Sequence, residues 1–197
     1  MQITAQEIVE RVARDLPFFK HSGGGLTISG GEPLFQPEFT LEICKLAKKR
    51  GIHVCVETCG YGETEHLLTL QEYVDCFLFD YKIAKEHAKA YLGIDDSLIL
   101  TNLEKLSKTD VGIILRCPII PEINDTEEHF LSIAELAQRT TNIQEIQLLP
   151  YHPLGVEKSR RIGKEPTYTN LNFLDPTRLQ QPAEDLQKET KIKVTVL

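Results

Sequence analysis

The alternation of short apolar runs with helical segments most constrains the fold of this 197-residue chain. Strands read as short runs rich in β-branched and aromatic residues, and the last run alternates in polarity. Strands are predicted over 26–29, 52–57, 75–79, 111–117, 146–149 and 192–197. Strands that alternate with helices predict an α/β domain with a parallel sheet, apolar on both faces and covered by helices.

Capping signals mark the starts of two helices. Thr4 and Glu7 form a T-x-x-E capping box, and Asp125 and Glu128 form a second box before the fifth strand. Helices are predicted over 3–15, 37–50, 63–74, 84–92, 98–108, 125–140 and 182–190, and a long surface loop over 155–175.

Prolines predict where two elements end. The first helix is expected to end at Leu16 and Pro17, because the residue before a proline is disfavoured in the helical region. Pro118 and Pro121 are expected to break the fourth strand, because proline cannot donate a hydrogen bond to a sheet.

Charge and hydropathy exclude several classes of protein. The formal net charge of −7 argues against a general nucleic-acid binder or a binder of anionic membranes. No apolar run approaches the span of a bilayer and the N-terminus lacks a signal-peptide core, so a cytoplasmic protein is expected. The chain, with 41% hydrophobic residues, suits a single domain over 1–197. Its five cysteines are expected to be free thiols.

A glycine-rich segment, SGGGLTISGGEPL at 22–34, surrounds the first strand. Two glycines followed by Glu32 and Pro33 at the end of the strand let a bulky ligand approach the backbone closely. The alternative is a tight turn from strand to helix that binds nothing. The residues that follow the later strands favour a ligand site.

Polar or ionisable residues lie at the ends of the first five strands. Ligands of parallel α/β folds bind at these carboxyl ends, so the residues are expected to meet at one rim. They are Ser29, Gly30, Gly31, Glu32, Glu57, Thr58, Asp80, Tyr81, Lys82, Arg116, Tyr151 and His152. The cations suit a carboxylate, the glycine turn with Glu32 suits an ammonium, and the histidine suits a hydroxyl or ring nitrogen. A zwitterionic or anionic ligand is therefore predicted.

Most of these residues have a structural alternative. Asp80 and Lys82 could form a surface ion pair, and His152 could be a hydrogen-bonded loop residue. Arg116 lies in an apolar strand and requires a carboxylate or a ligand as partner. Glu57 is the candidate for that partner.

Five segments, in order, resemble the radical S-adenosylmethionine activating enzymes of glycyl radical enzymes, a family that includes the pyruvate formate-lyase activating enzymes. They are SGGGLTISGGEP (22–33), GIHVCVET (51–58), FDYK (79–82), ILRCPIIP (114–121) and LLPYHPLG (148–155). The match covers nearly the whole chain. The residues alone are compatible with an open doubly wound sheet or an incomplete (β/α) barrel. The resemblance implies the second, a TIM-barrel-like α/β fold with parallel strands whose first strand is missing.

The resemblance implies a role for each matched residue. The segment 29–32 matches the one that holds the amino group of S-adenosylmethionine, and His152 matches a contact to its adenosyl part. The implied cofactor-binding residues are Ser29, Gly30, Gly31, Glu32, Asp80, Tyr81, Lys82, Arg116 and His152. The residues implied to hold a monovalent cation near the cofactor's carboxylate are Glu57, Thr58 and Asp80.

The resemblance also implies a reaction and its partners. Family members reduce the cofactor's sulfonium with a 4Fe-4S cluster, and the 5′-deoxyadenosyl radical so formed removes a hydrogen from a glycine of a partner such as a formate acetyltransferase. The implied partners are a glycyl radical enzyme as protein substrate and an electron donor such as flavodoxin or ferredoxin. No nucleic-acid or membrane partner is expected.

The sequence departs from the family at the cluster. The family's C-x-x-x-C-x-x-C loop has no counterpart here, because Cys55 and Cys59 have the first spacing but position 62 is glycine. Cys44, Cys55 and Cys76 are predicted to be small core residues. We predict a C-terminal portion of an activating enzyme that keeps the cofactor site but cannot make the radical. Its first strand is expected to be an exposed sheet edge that favours self-association.

Two other functions remain open. The first is a non-catalytic module that docks a glycyl radical enzyme, with the 155–175 loop as its contact. The second is a metal- or lysine-dependent lyase on a barrel, with Lys82 as Schiff-base former. It is disfavoured because Asp80 and Glu57 stabilise the charged ammonium, which is not nucleophilic.

Overall fold

The computed structural model describes residues 3–155, 163 and 168–197. This part of the chain forms one parallel sheet in the order β1-β2-β3-β4-β5-β6. The strands are β1 Gly25–Ile28, β2 His53–Thr58, β3 Cys76–Asp80, β4 Gly112–Ile119, β5 Ile143–Pro150 and β6 Lys193–Val196. Each strand pairs with the next along the chain, which is the order of a (β/α) barrel. Within the described residues β1 and β6 pair on one side only, so the barrel is open and partial.

Helices precede the first strand and connect the later strands. They are α1 Ala5–Val12, α2 Leu16–Ser22, α3 Pro37–Lys49, α4 Thr64–Leu70, α5 Lys85–Leu92, α6 Ser97–Leu106, α7 Glu127–Arg139 and α8 Gln180–Thr190. None of the helices in the described part has the length and apolar character needed to cross a membrane. Most predicted elements are confirmed to within a few residues. The predicted 155–175 loop lies largely outside the described residues, and the part at 168–175 has no helix or strand.

The start of the chain is more helical than predicted. The capping box is present, because the Glu7 N–H donates to Thr4 Oγ1 at 3.2 Å and the Thr4 N–H donates to Glu7 Oε2 at 2.8 Å. Helix α1 ends at Val12 and a 3₁₀ turn follows to Asp15, so the first helix ends before Pro17 as predicted, but the prediction missed α2, whose first turn contains Pro17. A proline is tolerated there because the N–H groups of the first turn have no partner within the helix.

The N-cap of α7 lies one residue later than predicted. Its N-cap is Thr126, whose hydroxyl accepts from the His129 N–H at 3.3 Å. Asp125 was predicted to cap this helix, but its carboxylate accepts from the Glu122 N–H at 2.7 Å. The second capping box is therefore wrong. The acidic side chain stabilises the preceding turn instead.

Strand β4 continues past Pro118, so the predicted break is wrong. The Arg116 carbonyl accepts from the Tyr81 N–H at 2.8 Å, which shows that Arg116 faces β3. Backbone groups two residues apart face the same neighbour, so Pro118 also faces that side. Because β3 has already ended at Asp80, the missing N–H of the proline costs no sheet hydrogen bond.

The two faces of the sheet differ. One, called the helical face, packs against the helices with fully buried apolar side chains: Val54, Val56, Phe77, Phe79, Ile113, Leu115, Cys117, Ile146 and Leu148. The other, called the open face, carries half-buried side chains that include Cys55, Glu57, Asp80, Arg116, Glu145 and Gln147. The prediction of a sheet apolar on both faces is therefore wrong. Right-handed connections between consecutive parallel strands place all their helices on the same face.

Candidate functional site

A cavity of about 600 Å³, called the rim cavity, lies at the carboxyl ends of β1, β2 and β3. Its lining residues are Ser29, Gly30, Gly31, Glu32, Phe35, Glu57, Thr58, Cys59, Tyr61, Asp80, Lys82 and Ile94. The lining includes eight of the eleven residues that the resemblance singled out for a ligand or a cation. The structure therefore brings the polar ends of three successive strands together around one space.

The Glu32 carboxylate is held in place by three hydrogen bonds. Its Oε1 accepts from Thr58 Oγ1 at 2.6 Å and from the Leu34 N–H at 3.2 Å. Its Oε2 accepts from the Cys59 N–H at 2.9 Å. An ionised carboxylate offers about four acceptor positions, so roughly one remains for a ligand in the cavity.

The glycine turn after β1 leaves room beside the cavity. Gly30 has a φ of 123°, which an L-residue with a side chain rarely adopts. A Cβ added at Gly30 or Gly31 would meet no atom within 4 Å, and both residues are exposed. A ligand in the rim cavity can therefore approach the backbone of this turn closely.

Arg116 forms an ion pair with Glu57, as the sequence predicted. Arg116 Nη1 donates to Glu57 Oε1, and the side chains are 21% and 29% exposed. Both lie on the open face, but only Glu57 lines the rim cavity. In the described residues Arg116 therefore orients a cavity carboxylate and does not line the cavity itself.

Asp80 and Lys82 face the cavity from the end of β3. Lys82 Nζ lies 3.3 Å from Asp80 Oδ2, and the lysine side chain is 42% exposed. Burial raises the pKa of the Asp80 carboxyl, Lys82 opposes that shift, and the charge of Glu57 adds to it. The rim cavity thus contains neighbouring carboxylates whose repulsion a cation would relieve.

Two predicted ligand contacts lie away from the rim cavity. The Tyr81 side chain points to the helical face, where its ring stacks on His129 at 5.7 Å and its hydroxyl donates to Ser132 Oγ at 3.3 Å. His152 is exposed and is not part of the cavity lining. Their roles in ligand binding stay predictions.

A buried asparagine behind the cavity was missed by sequence analysis. Asn102 on α6 is 0% exposed, and its Nδ2 donates to the carbonyls of Gly60 at 2.7 Å and Gly62 at 2.8 Å. Its Oδ1 accepts from Thr64 Oγ1 at 2.6 Å. The signal available in the sequence was one amide in a helix with an otherwise apolar buried stripe. The lining residues Phe35, Tyr61 and Ile94 were also missed.

The five cysteines are free thiols, as predicted. Cys44 and Cys76 are buried, which confirms them as core residues. Cys55 was predicted to be a third, but it is half-buried on the open face next to Cys76 in the sheet. A hydrogen bond with the Cys76 thiol lowers the pKa of Cys55 to about 6 and raises the pKa of Cys76. Cys59 lines the rim cavity, and burial raises the pKa of its thiol.

Known proteins resemble this chain in sequence and in fold. The profile of the radical SAM superfamily matches residues 2–137. The chain is 37% identical to the choline trimethylamine-lyase activating enzyme of Oleidesulfovibrio alaskensis, over 83% of this chain and 54% of that protein. It is 32% identical to the pyruvate formate-lyase-activating enzyme of Clostridium pasteurianum, over 88% of this chain and 73% of that protein.

A solved structure supports the fold. A domain of the pyruvate-formate lyase-activating enzyme from Bacteroides vulgatus superposes with a TM-score of 0.72 and 26% identity, over 89% of this chain and 99% of that one. The chain spans about half the length of several curated relatives that it matches. The solved domain, in contrast, is covered almost entirely.

Proposed function

This chain belongs to the radical SAM superfamily and, within it, to the activating enzymes of glycyl radical enzymes, and on that premise we propose that its rim cavity binds S-adenosylmethionine. The whole protein would then be an oxidoreductase that generates a radical on a glycyl radical enzyme. One observation carries the proposal. Polar residues from three strand ends and a glycine turn line a single cavity of about 600 Å³, a volume in the usual range for a cofactor site.

The amino-acid end of the cofactor fits the β1 side of the cavity. Glu32 keeps an acceptor position for an ammonium after its three protein hydrogen bonds, and those bonds fix its orientation. The open turn at Gly30 and Gly31 allows the ligand to approach the backbone. Lys82 supplies a positive charge for the ligand's carboxylate at the opposite side.

A monovalent cation is a further part of the proposal. Glu57 and Asp80 face the same cavity, and the charge of Glu57 contributes to the raised pKa of Asp80. A cation between them would relieve this repulsion. The Thr58 oxygen already accepts from the Gly60 N–H at 2.9 Å, which leaves one lone pair for a metal.

The cysteines described here do not fit a 4Fe-4S cluster. Cys44 and Cys117 are fully buried in the core, Cys55 and Cys76 are neighbours in the sheet, and Cys59 alone of the five lines the rim cavity. In the described residues, no three histidine, cysteine or acidic side chains are grouped to hold a metal ion. We place the cluster ligands in the part of the relatives' length that this sequence does not cover. With a cluster beside it, S-adenosylmethionine supplies the radical chemistry of the family.

The partners belong to the proposal as well. The protein substrate would be a glycyl radical enzyme, and the electron donor a protein such as flavodoxin or ferredoxin. The non-catalytic docking module is not favoured by any contact in the described residues, and most of the loop invoked for it lies outside them. The lyase alternative is opposed by the 3.3 Å ion pair of Lys82 with Asp80.

Calorimetric titration of the full chain with S-adenosylmethionine tests the site. Glu32→Gln removes the charge, and its amide nitrogen cannot accept as the carboxylate oxygen it replaces does. We expect the affinity to fall about tenfold or more because a charge-assisted hydrogen bond is lost. Glu38→Gln is the matched control, because this exposed glutamate lies in the first turn of α3, outside the cavity.

The same titration separates the alternatives. Binding by the wild type that Glu32→Gln weakens and Glu38→Gln leaves unchanged supports the cofactor site. A wild-type chain that does not bind S-adenosylmethionine, or a Glu32→Gln variant that binds equally well, contradicts it. A chain that binds a glycyl radical enzyme but not the cofactor would favour the docking module.

A further inference from the structure

We propose that Asn102 is a positioning residue, which fixes the Glu32 carboxylate through the loop after β2 without touching the rim cavity. The inference rests on the proposed function only for what Glu32 binds. The geometry itself is independent of any ligand. Asn102 does not line the cavity, and it lies on α6, which follows β3 in the chain.

Asn102 connects one helix to both ends of the loop that follows β2. Its two N–H groups donate to the carbonyls of Gly60 at 2.7 Å and Gly62 at 2.8 Å. The hydroxyl of Thr64, the first residue of α4, donates to its Oδ1 at 2.6 Å and fixes the orientation of the amide. The side chain therefore has little freedom to rotate.

A chain of hydrogen bonds leads from Asn102 to Glu32. Gly60, whose carbonyl accepts from Asn102, donates its own N–H, on the other side of its Cα, to Thr58 Oγ1 at 2.9 Å. With that lone pair occupied, the Thr58 hydroxyl donates its proton to Glu32 Oε1 at 2.6 Å. The neighbouring Cys59 N–H donates to Glu32 Oε2 at 2.9 Å. Both oxygens of the carboxylate thus depend on this loop.

The loop after β2 cannot change its conformation without disturbing the core. Gly60 has a φ of 73°, and a Cβ there would lie 2.3 Å from Phe79 Cζ, so the backbone packs directly on the core. Gly60 is buried, and its carbonyl needs a protein partner. Without the Asn102 amide, this carbonyl would have to turn towards solvent and move the Cys59 and Gly60 N–H groups.

A purely structural role is the competing explanation, and Asn142 provides its control. Asn142 also bridges backbone carbonyls, those of Leu106 at 2.9 Å and Val111 at 2.7 Å, but at the amino ends of the strands. Asn142→Ala should therefore lower stability without changing the loop after β2. Asn102→Ala should change both.

Amide hydrogen exchange by NMR on the full chain, without ligand, tests the geometry. In Asn102→Ala we expect the Cys59 and Gly60 amides to exchange about tenfold faster than in the wild type, since local opening of the loop becomes easier. Asn142→Ala should leave both amides unchanged. Wild-type exchange rates at both amides in folded Asn102→Ala would overturn the proposal.

If Asn102→Ala does not fold, Thr64→Val tests the same proposal. This variant keeps the volume of the side chain but removes the hydroxyl that orients the Asn102 amide. We expect faster exchange at Gly60 here too. Unchanged exchange at Gly60 would mean that the amide does not control the loop.

A double-mutant cycle with S-adenosylmethionine tests the connection to Glu32. Asn102→Ala should weaken binding about fivefold or more in the wild-type background, and have little effect in a Glu32→Gln background. Equal losses in both backgrounds would overturn the claim that Asn102 acts through Glu32. If the wild type does not bind the cofactor, the proposed function fails, while the exchange experiment still decides whether Asn102 positions Glu32.

Discussion

Phe77 and Leu78 are neighbours in β3, yet their side chains meet different surroundings. Phe77 points to the helical face and is 0% exposed, whereas Leu78 is half-buried on the open face, one residue before the next core phenylalanine. The same alternation separates Phe79 from Asp80, which faces the rim cavity. Because side chains alternate along a strand, a core residue and a cavity-lining residue are adjacent in the sequence at the end of β3.

A pair of alanine substitutions in β3 should show the largest difference between the two faces. Phe77→Ala should lower the free energy of unfolding by about 3–5 kcal/mol, because it leaves a cavity in a packed core. Leu78→Ala should cost less than about half of that, since its side chain already contacts solvent. Urea unfolding of both variants measures the difference. Equal losses would show that the two faces are packed alike.

The second test breaks the ion pair on the open face. Arg116→Met should lower the free energy of unfolding by about 1.5–3 kcal/mol, because it leaves the half-buried Glu57 carboxylate without its charged partner. Adding Glu57→Gln to this variant should recover part of the lost free energy of unfolding, since the unpaired charge is then removed. Unfolding curves of the single and double variants check this. A single variant as stable as the wild type would mean that the pair is screened by solvent.

The third test uses a histidine packed on the helical face. His129 is 2% exposed, and burial, with a smaller contribution from the charge of His87, lowers its pKa from 6.5 to about 4. Asn124 Nδ2 lies 3.4 Å and Ser132 Oγ 3.5 Å from its ring nitrogens, and neither is an acid. The ring therefore remains neutral in the folded protein when the unfolded chain has already bound a proton.

The sign of the pH dependence follows from this. The contribution of neutral His129 is fully present above pH 6.5 and is lost as the pH falls towards about 4. Between pH 7 and pH 5 the wild type should lose about 1–2 kcal/mol more than His129→Phe, which cannot titrate. Urea midpoints at the two pH values measure it. The same loss in both proteins would contradict the lowered pKa.

Local sequence patterns and the rules of parallel-sheet topology were sufficient to predict much of the fold and of the candidate site. The Thr4 capping box depends on residues three apart in the chain, so it was readable without a structure. The rim cavity was predicted because parallel strands deliver their polar ends to one edge, and the Glu57 partner of Arg116 because a guanidinium in an apolar strand needs one. These predictions needed no knowledge of the packing between distant segments.

Several of the failures depend on distant segments, although the second capping box failed locally, because Asp125 accepts from Glu122. Whether Pro118 breaks β4 is decided by where β3 ends, and β3 lies more than thirty residues earlier in the chain. Asn102 bonds a carbonyl 40 residues away at Gly62, so no local pattern distinguishes it from a polar residue on a helix surface. The open face was misjudged because the sequence does not show that all the helices lie on the other side.

The consecutive strand order also has a kinetic consequence. Each strand pairs with the strand that precedes it, from β1 with β2 to β5 with β6. No later strand has to insert between two that have already paired, so the sheet can grow at one edge while the chain leaves the ribosome. Until the last strand docks, the growing edge exposes unpaired backbone groups. Within the described residues β1 and β6 keep such an edge after all six strands have paired, so edge-to-edge association becomes less favourable with each strand but is not abolished.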